Sequence, residues 1–127
     1  MIVGTGIDLV DVARVRALLA RHGERALRRF FTEDEAHFCH ATADPAQCFA
    51  ARLAAKEAAL KAFATGRARG IRWRDVEVVR NHAGTPSLRF HGAAAARARE
   101  IHADRAWLSL SHERGKACAS VLLESSA

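Results

Sequence analysis

Phe49-Ala50-Ala51-Arg52-Leu53-Ala54-Ala55-Lys56-Glu57-Ala58-Ala59-Leu60-Lys61-Ala62 is the stretch whose reading decides the fold. Alanine and unbranched long side chains lose little freedom in a helix, and the small alanine surface lets another backbone come close. Pro45 is placed to open this helix at its first turn, and Thr65-Gly66 supplies a glycine stop. Phe49, Leu53, Leu60 and Phe63 are its large apolar members; Arg52, Lys56, Glu57 and Lys61 are its charged ones. Taken alone, Glu57 and Lys61 form an ordinary i,i+4 ion pair worth about 0.2–0.5 kcal/mol.

Working outward, Ile2 to Val10 reads as a buried strand interrupted by Gly4 and Gly6, where another backbone or a ligand can approach. Asp8 is the lone charge on that apolar segment. It either caps the helix that follows or serves as a ligand. If the strand packs on the long helix, Asp8 and Glu57 become two carboxylates able to hold a hard cation, with the Lys61 ammonium beside them. That combination suits chemistry on a phosphate ester.

From Asp11 the pattern turns helical, with Val12, Val15, Leu18 and Leu19 as an apolar stripe and His22-Gly23 as its end. Arg14 and Arg21 fall on nearly one face, and Arg25, Arg28 and Arg29 follow in a second amphipathic stretch. Such a run is either a solvated face or a dock for an acidic helix. Thr32-Glu33-Asp34-Glu35 is a capping box opening a short helix to about His40. Beyond the Gly66–Gly70 loop, a strand around Val76 and Val78 leads through residues 81–86 into Ser87 to Phe90, a hairpin. A short helix from Gly92 to about His102 precedes two strands, Ala106 to Glu113 and Lys116 to Glu124, joined at Arg114-Gly115. Alternation puts Leu108, Leu110 and His112 on one face, Ser109 and Ser111 on the other.

The 127 residues, half of them hydrophobic and 27% charged, describe a single globular domain spanning 1–127 and not a disordered chain. No apolar run approaches the roughly 20 residues that cross a bilayer, and the start has no signal-peptide pattern, so the expected location is cytoplasmic with no membrane partner. Cys39, Cys48 and Cys118 follow no paired spacing and are expected to be reduced thiols. His37 and His40 beside Cys39 lack the second ligand pair of a zinc site. The net charge of +6 attracts polyanions: nucleic acid, a phosphorylated cofactor or an acidic protein.

Gly4-Thr5-Gly6-Ile7-Asp8-Leu9-Val10, the Phe49–Ala62 helix, Asn81-x-x-Gly84-x-Pro86 and Leu108-Ser109-Leu110-Ser111-His112-Glu113, in this order and spacing, resemble the bacterial holo-[acyl carrier protein] synthases, the short 4'-phosphopantetheinyl transferases. The strand and the helix are specific; the other two segments alone are weak. The resemblance implies an α+β fold, a small antiparallel sheet packed with a long central helix, assembled as a homotrimer with sites at subunit boundaries. It implies transfer of the phosphopantetheine arm of coenzyme A to a serine of apo acyl carrier protein, releasing adenosine 3',5'-bisphosphate. By similarity, Asp8 and Glu57 hold Mg²⁺, a cation that takes only one or two carboxylates plus phosphate oxygens. Asp8, Glu57 and Lys61 form the catalytic group, with Glu57 the general base, directly or through water. Lys61, Arg52, Asn81, Gly84, Pro86 and His112 bind the cofactor, and Arg14, Arg21 and Arg25 meet the acidic carrier protein. Two departures stand out: Ala64 replaces a common glycine, and Thr85 a frequent lysine.

Two rivals remain at this level. A basic nucleic-acid-binding protein needs aromatic platforms, yet the chain has no Tyr, and its Phe and Trp residues are expected on apolar faces. An inactive trimer would keep the fold, though Asp8, Glu57 and Lys61 are all present.

Overall fold

Two glycines govern how the chain assembles. In the structure, a computed structural model describing residues 1–64, 70–80 and 83–126, strand β1 (Ile2–Asp11) lies directly on helix α4 (Pro45–Ala62). A Cβ at Gly4 would stand 2.2 Å from the Ala62 carbonyl oxygen, and one at Gly6 1.9 Å from that of Ala58. Only bare backbone fits there. The buried alanines of α4 (Ala54, Ala55, Ala58, Ala59 and Ala62) are the matching half of this contact.

Between β1 and α4 come α1 (Val12–His22), α2 (Glu24–Phe30) and α3 (Glu33–His40). After α4, a short helical turn at Trp73–Asp75 leads into the antiparallel hairpin β2 (Val76–Arg80) and β3 (Pro86–Phe90). Helix α5 (Gly92–Glu100) then precedes β4 (Arg105–Glu113) and β5 (Lys116–Glu124). The main sheet is antiparallel in the order β1-β5-β4. Its inner face sends Val10, Ala117, Ala119, Val121 and Leu123 into the core beneath α4. The β4–β5 turn places both Arg114 (φ 52°) and Gly115 (φ 76°) in the left-handed region, the twist that suits a two-residue hairpin. No described helix is long and apolar enough to cross a membrane.

The capping box is formed as the sequence predicts. Thr32 Oγ1 accepts from the Glu35 backbone N–H, and Glu35 Oε1 accepts from that of Thr32. Three expectations are corrected. Asp8 caps nothing; Asp11 holds the N-cap position of α1, and its side chain pairs with Lys116 instead. Cys39 and Cys48 are joined as a disulfide, with Cys118 free. The fold brings their Cα atoms to 5.4 Å by turning the chain between α3 and α4, a proximity their spacing does not reveal. Trp107 lies on the outer face of the sheet, 56% exposed, instead of packing inward.

Candidate functional site

Asp8 faces the α4 side of β1, and the register that buries Val10 two residues later carries it there. Its carboxylate is nearly buried, with 12% of the side chain exposed. Lys61 Nζ reaches across from the last turn of α4 to Asp8 Oδ1 at 2.8 Å and to the Ile7 carbonyl at 2.9 Å. The ammonium therefore serves β1 and not its own helix, which corrects the simple i,i+4 pairing with Glu57. Asp8 Oδ2 is buried and, among the described residues, has no hydrogen-bond partner.

Glu57 sits one turn before Lys61, with the Asp8 carboxylate close enough to act on it. Burial, then the neighbouring Asp8 carboxylate, pushes its carboxyl up to about 7, against the opposing pull of Arg14 and Lys61. Two like-charged groups thus stand together where a cation would relieve them. All-oxygen donors, an orphaned buried oxygen and a carboxyl that resists ionising fit a hard divalent ion such as Mg²⁺. Among the described residues no cluster of three or more acidic, His or Cys ligands exists, so a cation here would rest on these two carboxylates and on ligands from elsewhere.

A second group forms a cleft of about 480 Å³ on another side of α4, lined among others by Arg52, Arg80, Pro86 and His112. Arg52 is 3% exposed, and its Nε has no hydrogen-bond partner among the described residues. Burial, then the nearby Arg80 charge, lowers its guanidinium to about 10. Arg52 and Arg80 both lie over the Phe38 ring, 4.5 and 5.0 Å from its centre. Arg80 also donates to the Gly84 carbonyl at 2.5 Å, and Gln47 Nε2 meets His112 Nδ1 at 2.9 Å. The cleft has the chemistry of an anion site: the buried Arg52 guanidinium with a donor to spare and the exposed Arg80 beside it.

The structure therefore brings Asp8, Glu57 and Lys61 together, and separately Arg52, Pro86 and His112, with Gly84 at the edge of the second group. It does not unite the two within one chain. Nine residues separate Arg52 from Lys61, which sets them about 180° apart around the helix. Asn81 lies outside the described residues. Arg14, Arg21 and Arg25 are exposed on α1 and α2, and Arg14 is close enough to act on Glu57. Arg25 rims a shallow groove of about 220 Å³ with Leu18, Ala26 and Phe30 on its floor. Sequence reasoning missed Arg80, Phe38 and Gln47. Arg80 borders the 81–86 segment, but nothing local shows that α3 sets Phe38 between two arginines.

The sequence model of the 4'-phosphopantetheinyl transferase superfamily matches residues 4–119. A holo-[acyl-carrier-protein] synthase from Koribacter versatilis is 48% identical over 124 residues, covering 98% of this chain and 99% of that protein. One from Alkalilimnicola ehrlichii is 49% identical over 127 residues, 99% of each. The crystal structure of a Bacillus anthracis holo-(acyl-carrier-protein) synthase in complex with CoA (3',5'-ADP) superposes with a TM-score of 0.81 at 32% identity, covering 99% of both chains.

Proposed function

The chain belongs to the 4'-phosphopantetheinyl transferase superfamily and carries out the transfer of phosphopantetheine from coenzyme A to apo acyl carrier protein; from that premise we propose how its residues divide the work. The carrying observation is the Asp8–Glu57 contact, with its orphaned oxygen and the Lys61 ammonium alongside.

Asp8 and Glu57 would hold Mg²⁺, which when bound would supply positive charge at the reacting phosphate. Lys61 reaches the same phosphates as a point charge. The carrier serine Oγ forms a bond to the phosphorus bearing the pantetheine arm while the pyrophosphate P–O bond breaks. Adenosine 3',5'-bisphosphate leaves with that electron pair. Glu57 takes the serine proton, directly or through a water.

Arg52, Arg80 and His112 receive the adenosine phosphates, and Asn81, Gly84 and Pro86 bind the cofactor's adenosine end. Arg80 supplies the charge that Thr85 lacks. Because this cleft and the carboxylates face opposite ways, one complete site takes its carboxylates from one protomer and its cleft from a neighbour. A homotrimer closes that arrangement, joined through the outer sheet face where Ile7 and Leu9 are 63% and 62% exposed and which Trp107 shares two strands away. Arg14, Arg21 and Arg25 dock the acidic carrier over the Leu18–Phe30 groove. We read residues 1–127 as one transferase domain working in the cytoplasm.

Intact-protein mass spectrometry of an apo carrier protein incubated with the chain, coenzyme A and Mg²⁺ tests the whole. A phosphopantetheine mass gain that vanishes with chelator and with Glu57→Ala supports the assignment. A gain that survives both removes Glu57 and the metal from the mechanism. No gain with several carriers favours an inactive trimer.

A further inference from the structure

A concavity of about 590 Å³ opens between α2, the Trp73–Asp75 turn and the entry to α5. It shares no lining residue with the Arg52 cleft and includes neither Asp8, Glu57 nor Lys61. Arg28, Arg29, Arg72 and Arg74 line it, with Trp73 and His91 beside them.

The nearby carboxylates are already engaged. Asp75, the one acidic residue of the lining, accepts from the Arg72 backbone N–H through Oδ2 at 3.0 Å and from the Arg72 guanidinium through Oδ1 at 3.3 Å. Glu77, close behind, takes the Thr32 hydroxyl at 2.8 Å and pairs with His91 Nε2 at 2.9 Å. Among the described residues no carboxylate pairs with Arg28, Arg29 or Arg74. Arg29 rests instead near the face of Phe30, 5.5 Å from the ring centre.

Three unmatched guanidinium groups and one partly matched therefore share a concave surface, where like charges focus the field on whatever enters. Guanidinium forks match phosphate oxygens two at a time. Trp73, its ring centre 5.4 Å from that of Phe30 and tilted against it, adds an aromatic wall. The volume falls within the roughly 300–1,000 Å³ usual for small-molecule sites, and a concave wall suits a compact anion better than a convex protein helix.

We propose that this concavity binds a small, multiply charged phosphate-bearing ligand of nucleotide size, at a site separate from the carboxylate centre. Such a ligand would touch the turn that meets the buried Lys56 of α4, because the Trp73 carbonyl accepts from Lys56 Nζ at 3.1 Å.

Isothermal titration with inorganic pyrophosphate tests this without depending on the transferase assignment. The wild-type chain should bind one pyrophosphate here. Arg28→Ala/Arg74→Ala should weaken binding at least about tenfold, while Lys61→Ala/Arg80→Ala leaves this site intact. All four positions are exposed, so both variants should fold, which thermal melting checks. Undiminished binding by the first double variant, loss in the second, or no binding by wild type would overturn the proposal. If pyrophosphate fails to bind yet the first variant slows carrier modification, the arginines serve an acidic protein face and the small-ligand site is wrong.

Discussion

Lys56 and Glu57 are adjacent on one helix, and their charges have opposite fates. Lys56 is fully buried, and its ammonium donates to Glu35 Oε1 at 2.8 Å, the Trp73 carbonyl at 3.1 Å and the Val76 carbonyl at 2.5 Å. All three donors are used. Glu35, equally buried, also accepts from the Thr32 and Val78 backbone N–H groups. Glu57, on the next face of the same helix, and Asp8, facing it from β1, keep an orphaned oxygen and two acidic groups side by side. A satisfied ion pair is structure. Two crowded carboxylates, open to a cation, are where chemistry can occur.

The largest expected effect tests the unsatisfied half. Glu57→Gln should lower kcat roughly 10²–10⁴-fold, the range of a lost general base, with carrier affinity nearly unchanged. Steady-state kinetics alongside a carrier-binding titration separates the two. Equal losses in both would make Glu57 a docking residue.

The satisfied half responds in stability. Lys56→Met strands the Glu35 carboxylate in the core and should cost about 3–5 kcal/mol, read from the urea midpoint. Replacing both partners should not recover this fully, because Glu35 also caps Thr32 and Val78. A Lys56→Met chain as stable as wild type would show that the pair adds nothing to the fold.

Little of this contrast is legible in the sequence. Lys56, Glu57 and Lys61 look alike there, as charged members of an alanine-rich helix. Only a long-range contact tells them apart: the approach of β1 for Glu57, that of the β2 entry for Lys56. Local signals fared better. The Thr32 capping box, the Gly4/Gly6 approach and the Leu108-Leu110-His112 alternation are all formed, because each depends on neighbours within a few residues or on a requirement only glycine meets. The disulfide, the exposed Trp107 and the Arg52–Phe38–Arg80 stack depend on where distant elements land. The Asp8–Glu57 pairing was reached through two specific motifs taken together, since neither alone chooses between cap, surface pair and ligand.

A smaller effect sharpens the same contrast through pH. The fold favours protonated Glu57, so without metal its contribution to stability is full below the ordinary carboxylate range. It is lost as pH rises through about 7. Mg²⁺ needs both carboxylates ionised, so its affinity should increase over that interval. Melting curves with and without Mg²⁺ on either side of pH about 7 should diverge more on the alkaline side. Glu57→Gln should remove that divergence, and a metal effect independent of pH would place the ion elsewhere.

The smallest effect concerns the end of α4. Ala64 follows the C-cap Phe63 with φ 61°, a left-handed conformation that costs an L-residue about 1–2 kcal/mol and glycine almost nothing. Part of the gain from Ala64→Gly is offset by the freedom glycine has when unfolded. A net stabilisation of about 0.5–1 kcal/mol should remain, roughly 2–4 °C in Tm. Ala64 is exposed and three residues beyond Lys61, so the substitution should leave the Lys61–Asp8 contact alone and turnover with it. A rise in Tm at constant kcat would show that helix termination and the carboxylate site are energetically separate. A change in kcat would mean that the left-handed residue helps to hold Lys61 in reach of Asp8.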